Sequence, residues 1–205
     1  MSDFYRIASS HLLPAPPADA FLQNGRPPQG DHLSPEEWAK VGARPAAVLV
    51  PVVSHAGGAT ILLTKRAAHL RSHSGQIAFP GGRIDAGDDG PLAAALREAH
   101  EETGLQASQI ETLGYLDAYQ TGTGYRIVPV VARVYPPLLL QPNADEVEAA
   151  FEVPLDFLMD PANHRIETRQ WQGRERRFYA MTFHNHYIWG ATAGILRNLY
   201  ERLYL

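Results

Sequence analysis

A loop containing several glycines leads directly into a short acidic helix within residues 82–105. Gly90-Pro91 is a good helix start, because a proline at the first helical position lacks only an N–H that has no partner there. Gly104 supplies the left-handed residue that commonly ends a helix. At about 100° per residue, three acids fall on one side of this helix within an arc of roughly 100°. They are Glu98, Glu101 and Glu102.

Carboxylates this close repel one another unless a positive charge lies among them, and a hard divalent cation is the usual one. Arg97 precedes Glu101 by four residues and is predicted to pair with it. The opposite face is small and mostly apolar, comprising Leu92, Ala95, Leu96, Ala99 and Thr103. The acids alone also fit an ordinary amphipathic helix with a solvated charged face. The arrangement of the three acids after a glycine loop instead suggests an enzyme that uses magnesium or manganese to cut a phosphoanhydride.

This stretch resembles the Nudix box, in which a glycine and a glutamate precede the sequence Arg-Glu-apolar-any-Glu-Glu-any-Gly-apolar. The matching positions are Gly82, Arg97, Glu98, Glu101, Glu102, Gly104 and Leu105. All of these positions except Leu105 require one particular residue type. Six such matches arise by chance on the order of once per ten million starting positions in a sequence. The chain departs from the general pattern at Asp88, which replaces glutamate and precedes Arg97 by one residue more than usual. Ala99 is also smaller than the usual apolar residue.

A second motif lies upstream, at Leu62-Leu63-Thr64, Arg66-Ala67, Arg71, Gly75 and Phe79-Pro80-Gly81-Gly82. This motif resembles the signature of coenzyme A pyrophosphatases among Nudix proteins. That subgroup also tends to carry the aspartate and the extra residue found at Asp88. The resemblance implies hydrolysis of the diphosphate bond of coenzyme A, or of its oxidised or acyl forms, to 3′,5′-ADP and 4′-phosphopantetheine. It further implies an α+β fold, the Nudix-type α/β/α sandwich with a mixed β-sheet.

The resemblance also suggests roles for individual residues. Glu98 and Glu102, one helical turn apart, are predicted to hold Mg²⁺ or Mn²⁺, with Glu101 binding a second ion or orienting the attacking water. Glu146, in a later loop, is a candidate general base, although a solvated acid before a strand fits it equally well.

The upstream motif offers groups suited to phosphate. Arg66 and Arg71 present planar guanidinium forks for phosphate oxygens, although either arginine could equally lie at the surface. Gly81 and Gly82 let the backbone approach a ligand closely. His69 and His73 are open between phosphate contact and the surface. His184 and His186 suggest another metal site only weakly, because no acid or cysteine lies beside them.

Composition narrows the class of protein. The chain has 205 residues, 45% of them hydrophobic, and a net charge of −4, which argues mildly against nucleic acid as the main partner. It has no cysteine, no apolar run of the roughly 18 residues that a membrane span requires, and no signal-peptide core in its first residues. We expect a cytoplasmic enzyme with a small-molecule substrate and no membrane partner. Monomer and homodimer both remain open.

Along the chain, residues 1–44 are predicted to form a proline-rich arm with a short helix from Ser34 to Lys40, and residues 45–205 to form the Nudix domain. Two hairpins are predicted, one joining 46–53 to 59–65 and one joining 165–172 to 176–183. Strands are also expected at 112–119 and 125–135, with Pro129 placing part of the latter at an edge or bulge. A terminal helix is predicted to bury Ile188, Ile195, Leu196, Leu199 and Leu203.

Two other functions remain possible. One is a Nudix hydrolase that acts on a different nucleoside diphosphate derivative, such as a sugar or dinucleotide. The other is a non-catalytic module that senses nucleotides. Such a module usually tolerates loss of the metal-binding acids and needs an output domain, whereas this chain keeps all three acids and shows no basic helix-turn-helix segment.

Overall fold

A nearly continuous apolar run at residues 46–53 builds a central strand, as a strand with two covered faces requires. The computed structural model describes residues 2–18, 29–30, 44–171 and 174–205, and the predicted helix at 34–40 lies outside them. The helices are α1 (Ser2–His11), α2 (Gly90–Thr103), α3 (Leu155–Leu158) and α4 (Ala191–Tyr204). The strands are β1 (Gln29–Gly30), β2 (Arg44–His55), β3 (Gly58–Arg66), β4 (Ile77–Ala78), β5 (Gly81–Arg83), β6 (Ile110–Tyr115), β7 (Tyr119–Gln120), β8 (Tyr125–Val134), β9 (Val147–Pro154), β10 (Arg165–Trp171), β11 (Arg174–Phe183) and β12 (His186–Trp189).

The larger sheet is mixed and has nine strands. Its main path runs β1-β7-β8-β2-β3-β4, while β5, β6 and β9 pair with β2, β8 and β3 respectively. The β1–β7 and β2–β8 pairings are parallel, and the other pairings are antiparallel. The smaller sheet is the antiparallel array β10-β11-β12.

Helices cover both faces of the large sheet. In β2, Leu49 and Val53 pack in the same cluster as Ala95 of α2. Val50 and Val52 alternate with them and join the other cluster, which contains Leu199 of α4. The predicted α/β/α sandwich with a mixed sheet is therefore confirmed. In the part of the chain that the structure describes, no helix is both long and apolar enough to cross a membrane.

Helix α2 begins and ends near the predicted residues. Gly90 and Pro91 open it, and Gly104 ends it with a left-handed φ of 75° and an N–H bonded to the His100 carbonyl at 2.8 Å. The apolar face is largely as predicted, with Ala95, Ala99 and Thr103 buried. Glu102 is buried as well, with 3% of its surface exposed. This helix therefore carries one acid into the protein body.

The N-terminal segment contributes to the core through a helix that was not predicted. Phe4, Ala8 and Leu12 are buried in the cluster that contains α4. The Arg133 guanidinium lies 4.5 Å from the centre of the Tyr5 ring, a cation–π contact that adds to this packing. The proposed division of the chain at residues 44 and 45 remains a prediction.

Three details of the predicted elements were wrong. Residues 112–119 do not form one strand, because β6 ends at Tyr115 and β7 begins at Tyr119. Pro129 lies in the interior strand β8, where its carbonyl accepts the Leu116 N–H at 3.1 Å. On that side, β8 pairs with β7 up to Ile127 and with β6 from Val130 onward, so Pro129 lies between the two pairings. The N–H that proline lacks would therefore have had no partner in either pairing. Ile188 is buried in β12 rather than in the terminal helix, which begins only at Ala191.

The remaining strand predictions were confirmed. β2 and β3 form the first hairpin, and β10 and β11 form the second. In the terminal helix, the predicted apolar residues Ile195, Leu196, Leu199 and Leu203 are all buried.

Candidate active site

Glu102 is the most buried acid of α2. Its Oε2 accepts the Gly81 N–H at 3.2 Å, and its Oε1 lies 3.7 Å from a terminal nitrogen of Arg66. Burial, with a smaller effect from the charges of Glu98 and Glu146, raises the pKa of Glu102 to about 7, although Gly81 and Arg66 act to lower it. A carboxyl group with this environment gains from a cation placed beside it.

Glu98 lies one turn earlier and is also largely covered, with 17% of its side chain exposed. Its carboxylate packs so closely over Gly82 that a Cβ on that glycine would overlap it. Burial raises the pKa of Glu98, Arg97 lowers it, and Glu101 and Glu146 raise it. Glu98 and Glu102 thus share one electrostatic environment beside the two glycines.

Arg97 pairs with Glu101 as predicted, at 3.1 Å. It also donates a hydrogen bond to Glu98 at 3.1 Å. Its Nε and Nη2 donate two more to the Asp88 carboxylate, both at 2.9 Å. These bonds hold the pKa of Asp88 down at about 2. The departure from the Nudix pattern at Asp88 therefore has a structural consequence, since this acid fixes the arginine that orients its neighbours.

Glu146 is brought to the acids by the loop before β9. The Asn143 N–H donates to the Glu102 carbonyl at 3.0 Å, and the Glu146 N–H donates to the Asn143 carbonyl at 2.9 Å. The Glu146 carbonyl in turn accepts the Ala67 N–H at 2.8 Å. Its charge raises the pKa of both Glu98 and Glu102, so the loop brings it within electrostatic range of them.

No set of three or more histidine or acidic side chains within the described ranges is arranged to hold a metal ion. Arg97 donates hydrogen bonds to the carboxylates of Glu98 and Glu101. The carboxylate of Glu102 accepts the Gly81 N–H and pairs with Arg66. The donors nevertheless suit a hard divalent cation, because they are carboxylate oxygens whose mutual repulsion is incompletely offset. Histidines 184 and 186 offer no such cluster, since His184 lies in the β11–β12 turn and His186 stacks on Phe151 at 3.8 Å.

A cleft of about 760 Å³ adjoins the acids and has the volume of a small-molecule site. Of the predicted phosphate-binding residues, Arg66, Gly81 and Gly82 line it. Arg71 is exposed in the loop after β3 and is not among the lining residues that the structure describes. His73 lines the cleft, whereas His69 bonds to the Asp145 carbonyl at 3.1 Å. The acids of α2 reach the cleft through their contacts with Gly81, Gly82 and Arg66.

The charge of the cleft is one-sided. Among the described residues, its lining includes no aspartate or glutamate. It does include the arginines Arg66, Arg83, Arg169, Arg176 and Arg177. In a chain with a net charge of −4, this concentration of guanidinium groups indicates an anionic ligand.

Sequence reasoning missed the part of the cleft that the smaller sheet provides. Arg169 comes from β10, Arg176 and Phe178 from β11, and Trp189 from β12. The only sequence signal was the group of arginines at 174–177. Nothing in that local pattern shows that the hairpin faces the Nudix-type helix and its glycine loop.

The sequence of this chain matches those of Nudix hydrolases. Residues 43–173 match the NUDIX domain. The chain is 40% identical over 156 residues to proteins described as "Uncharacterized Nudix hydrolase NudL" from Enterobacter sp. (strain 638) and Escherichia coli (strain K12), covering 76% of this chain and 81% of each relative. The fold is also similar to the crystal structure of DR0079 from Deinococcus radiodurans, with a TM-score of 0.51 and 13% sequence identity. The match covers 79% of this chain and 83% of the DR0079 chain. This chain belongs to the Nudix family.

Proposed function

We propose that this Nudix hydrolase cuts the diphosphate bond of coenzyme A, releasing 3′,5′-ADP and 4′-phosphopantetheine, with oxidised and acyl forms as further substrates. The observation that carries the proposal is the arginine-lined cleft that meets the acids of α2 at Gly81 and Gly82. The upstream motif that resembles the coenzyme A signature supplies Arg66 and both of these glycines.

Arg66 is placed to hold the diphosphate. Its Nε is buried and has no hydrogen-bond partner among the described residues, while one terminal nitrogen lies 3.7 Å from Glu102. A phosphate oxygen would satisfy that donor, and buried donors left unsatisfied are costly. Gly81 and Gly82 leave no room for a Cβ, because it would meet the backbone of Ala47 and Val48 or the carboxylate of Glu98, and this lets the loop lie directly against the acids of α2. Arg71, which is exposed, remains a predicted phosphate contact.

The α2 acids would supply the cation site. Nudix hydrolases generally use divalent metal ions. Mg²⁺ or Mn²⁺ held by Glu98 and Glu102, with Glu101, would neutralise charge on the diphosphate and lower the pKa of a bound water. Arg97 and Asp88 hold two of these carboxylates in position.

Glu146 is our candidate for the general base, because its loop keeps it close to both buried acids. Replacing it in Glu146→Gln should lower kcat by roughly 10²–10⁴, the usual contribution of a general base. Glu148→Gln is the matched control, since Glu148 is exposed and pairs with Lys65 at 2.6 Å. A loss below about tenfold in Glu146→Gln would remove the base role.

The substrate is tested by kcat/KM on coenzyme A, 3′-dephospho-coenzyme A, ADP-ribose and a dinucleoside polyphosphate, each with Mg²⁺ and with Mn²⁺. We expect coenzyme A to be preferred, and Glu98→Gln and Glu102→Gln each to lower its turnover by more than about a hundredfold. Preference for another member of the panel would favour the alternative Nudix substrate. Near-wild-type turnover by both variants would reject the assignment of the acids.

A further inference from the structure

The hairpin β10–β11 places two arginines directly opposite each other at the cleft. Arg169 pairs in register with Arg176, and both line the cleft. Side chains directly opposite in an antiparallel pair have Cβ atoms about 4.5–5.5 Å apart, and like charges there are destabilising. Such a pair is favourable when an anion lies between the two guanidinium groups.

Neither arginine has an acidic partner in the part of the chain that the structure describes, although Arg169 lies within electrostatic range of Tyr187. No hydrogen bond or ion pair joins Arg169 or Arg176 to another described residue, whereas Arg97 and Arg197 are paired with acids. Glu167, two residues before Arg169 on the same strand face, accepts the Tyr187 hydroxyl at 2.5 Å. The nearest acid of β10 on that face therefore accepts a hydrogen bond from Tyr187 and forms no ion pair with Arg169.

Two aromatic rings, those of Phe178 and Trp189, line the same cleft as the arginines. Phe178 lies two residues after Arg176 and hence on the same face of β11, and its ring centre is 5.4 Å from that of Trp189. Both rings line the cleft. Guanidinium groups beside apolar rings suit a ligand that joins a phosphate to a flat base.

We infer that Arg169 and Arg176 form a subsite for a phosphomonoester on the nucleoside part of the substrate, next to an aromatic contact for its base. The inference rests on the proposed function, in which the diphosphate lies by Arg66, Gly81 and Gly82. Coenzyme A carries such a group as its 3′-phosphate, so this subsite would distinguish it from nucleotides that lack that phosphate.

The test compares coenzyme A with 3′-dephospho-coenzyme A in the double variant Arg169→Ala/Arg176→Ala. We expect kcat/KM for coenzyme A to fall roughly tenfold or more through KM, as loss of charged hydrogen bonds implies. Activity on the dephospho compound should stay within about twofold of wild type. Arg165→Ala is the matched control, because Arg165 is exposed on the same strand outside the described lining of the cleft. Equal losses on both substrates, or none, would overturn the subsite.

Calorimetry with 3′,5′-ADP and 5′-AMP separates this inference from the proposed function, because neither binding measurement needs turnover. Wild type should bind 3′,5′-ADP roughly tenfold more tightly than 5′-AMP. The double alanine variant should lose that preference, and Arg169→Lys/Arg176→Lys should keep part of it. That result in a protein that does not hydrolyse coenzyme A would support the subsite and reject only the substrate assignment. Equal binding of the two nucleotides by wild type would overturn the subsite.

Discussion

Arg97 sets the positions of the acids that the Nudix resemblance singles out. It binds Asp88, Glu98 and Glu101 at once and also donates to the Arg83 carbonyl at 3.1 Å. The Arg97–Glu101 pair follows from helical spacing and was predictable. The Asp88 contact was not, because the loop that returns Asp88 to the helix depends on tertiary structure rather than on a periodic pattern. One guanidinium thus orders two carboxylates of the candidate cation site.

Glu102 should make the stability of the metal-free protein depend on pH. Its folded-state pKa of about 7 lies above the ordinary value of 4.5, so its contribution to the unfolding free energy is complete below pH 4.5. That contribution is lost as the pH rises through about 7, by up to roughly 3 kcal/mol. Denaturant titrations with a chelator present should show this decline in wild type. Glu102→Gln should lack it, and an undiminished decline in that variant would contradict the assignment.

The two glycines before Arg83 should respond differently to alanine. A Cβ at Gly82 would overlap only the movable end of Glu98, whereas one at Gly81 would meet the backbone of Ala47 and Val48. Gly82→Ala should therefore lose activity at nearly unchanged stability, while Gly81→Ala should lose both. Activity assays and denaturant midpoints measure the two effects. Gly87→Ala is the control, because open space surrounds it. A fully active Gly82→Ala would argue against a role for the Glu98 position.

Helix α1 shows how burial can outweigh a polar sequence. The proline-rich composition of residues 1–44 predicts an arm, and the run before the first proline is too short and mixed to stand out as a helix. Its apolar residues at 4, 8 and 12 nevertheless follow helical spacing, and the core buries them. The helix is stabilised by tertiary packing, which a local pattern does not report.

Truncating one of these residues tests that view of α1. Phe4 is 6% exposed, so Phe4→Ala should lower the unfolding free energy by about 3 kcal/mol. Ser9→Ala should change it by less than about 0.5 kcal/mol, because Ser9 is exposed. Chemical denaturation measures both. Equal midpoints for wild type and Phe4→Ala would mean that this helix does not contribute to the core.

β2 and β3 were predictable from the sequence alone, because both are β-rich apolar runs and Gly57-Gly58 marks the turn between them. The break between β6 and β7 was not, because a single Asp117 is a weak turn signal and the pairing with β8 decides where each neighbour ends. Ile188 was misplaced for a related reason, since its spacing from the helix residues at 195, 199 and 203 also fits one helical face. Gly190 interrupts that pattern, and α4 begins only after it.

The whole molecule places its two sheets around one cleft. The large sheet and the glycine loop bring Arg66, while the small sheet brings Arg169 and Arg176. The placement of the three acids on one helix could be predicted from sequence, because all three lie within one helical segment. The far wall of the cleft could not, because its residues come from strands about seventy residues or more beyond that helix. We therefore propose that specificity depends on the smaller sheet and that hydrolysis depends on α2.

We propose that a cation lies between two acids one helical turn apart, beside a pocket for a doubly phosphorylated adenosine. Anomalous diffraction from crystals containing Mn²⁺ and 3′,5′-ADP tests both parts together. We expect a manganese peak in contact with Glu98 and Glu102, with the 3′-phosphate of the nucleotide against Arg169 and Arg176. Manganese bound elsewhere, with those glutamates turned away from any ion, would contradict the account.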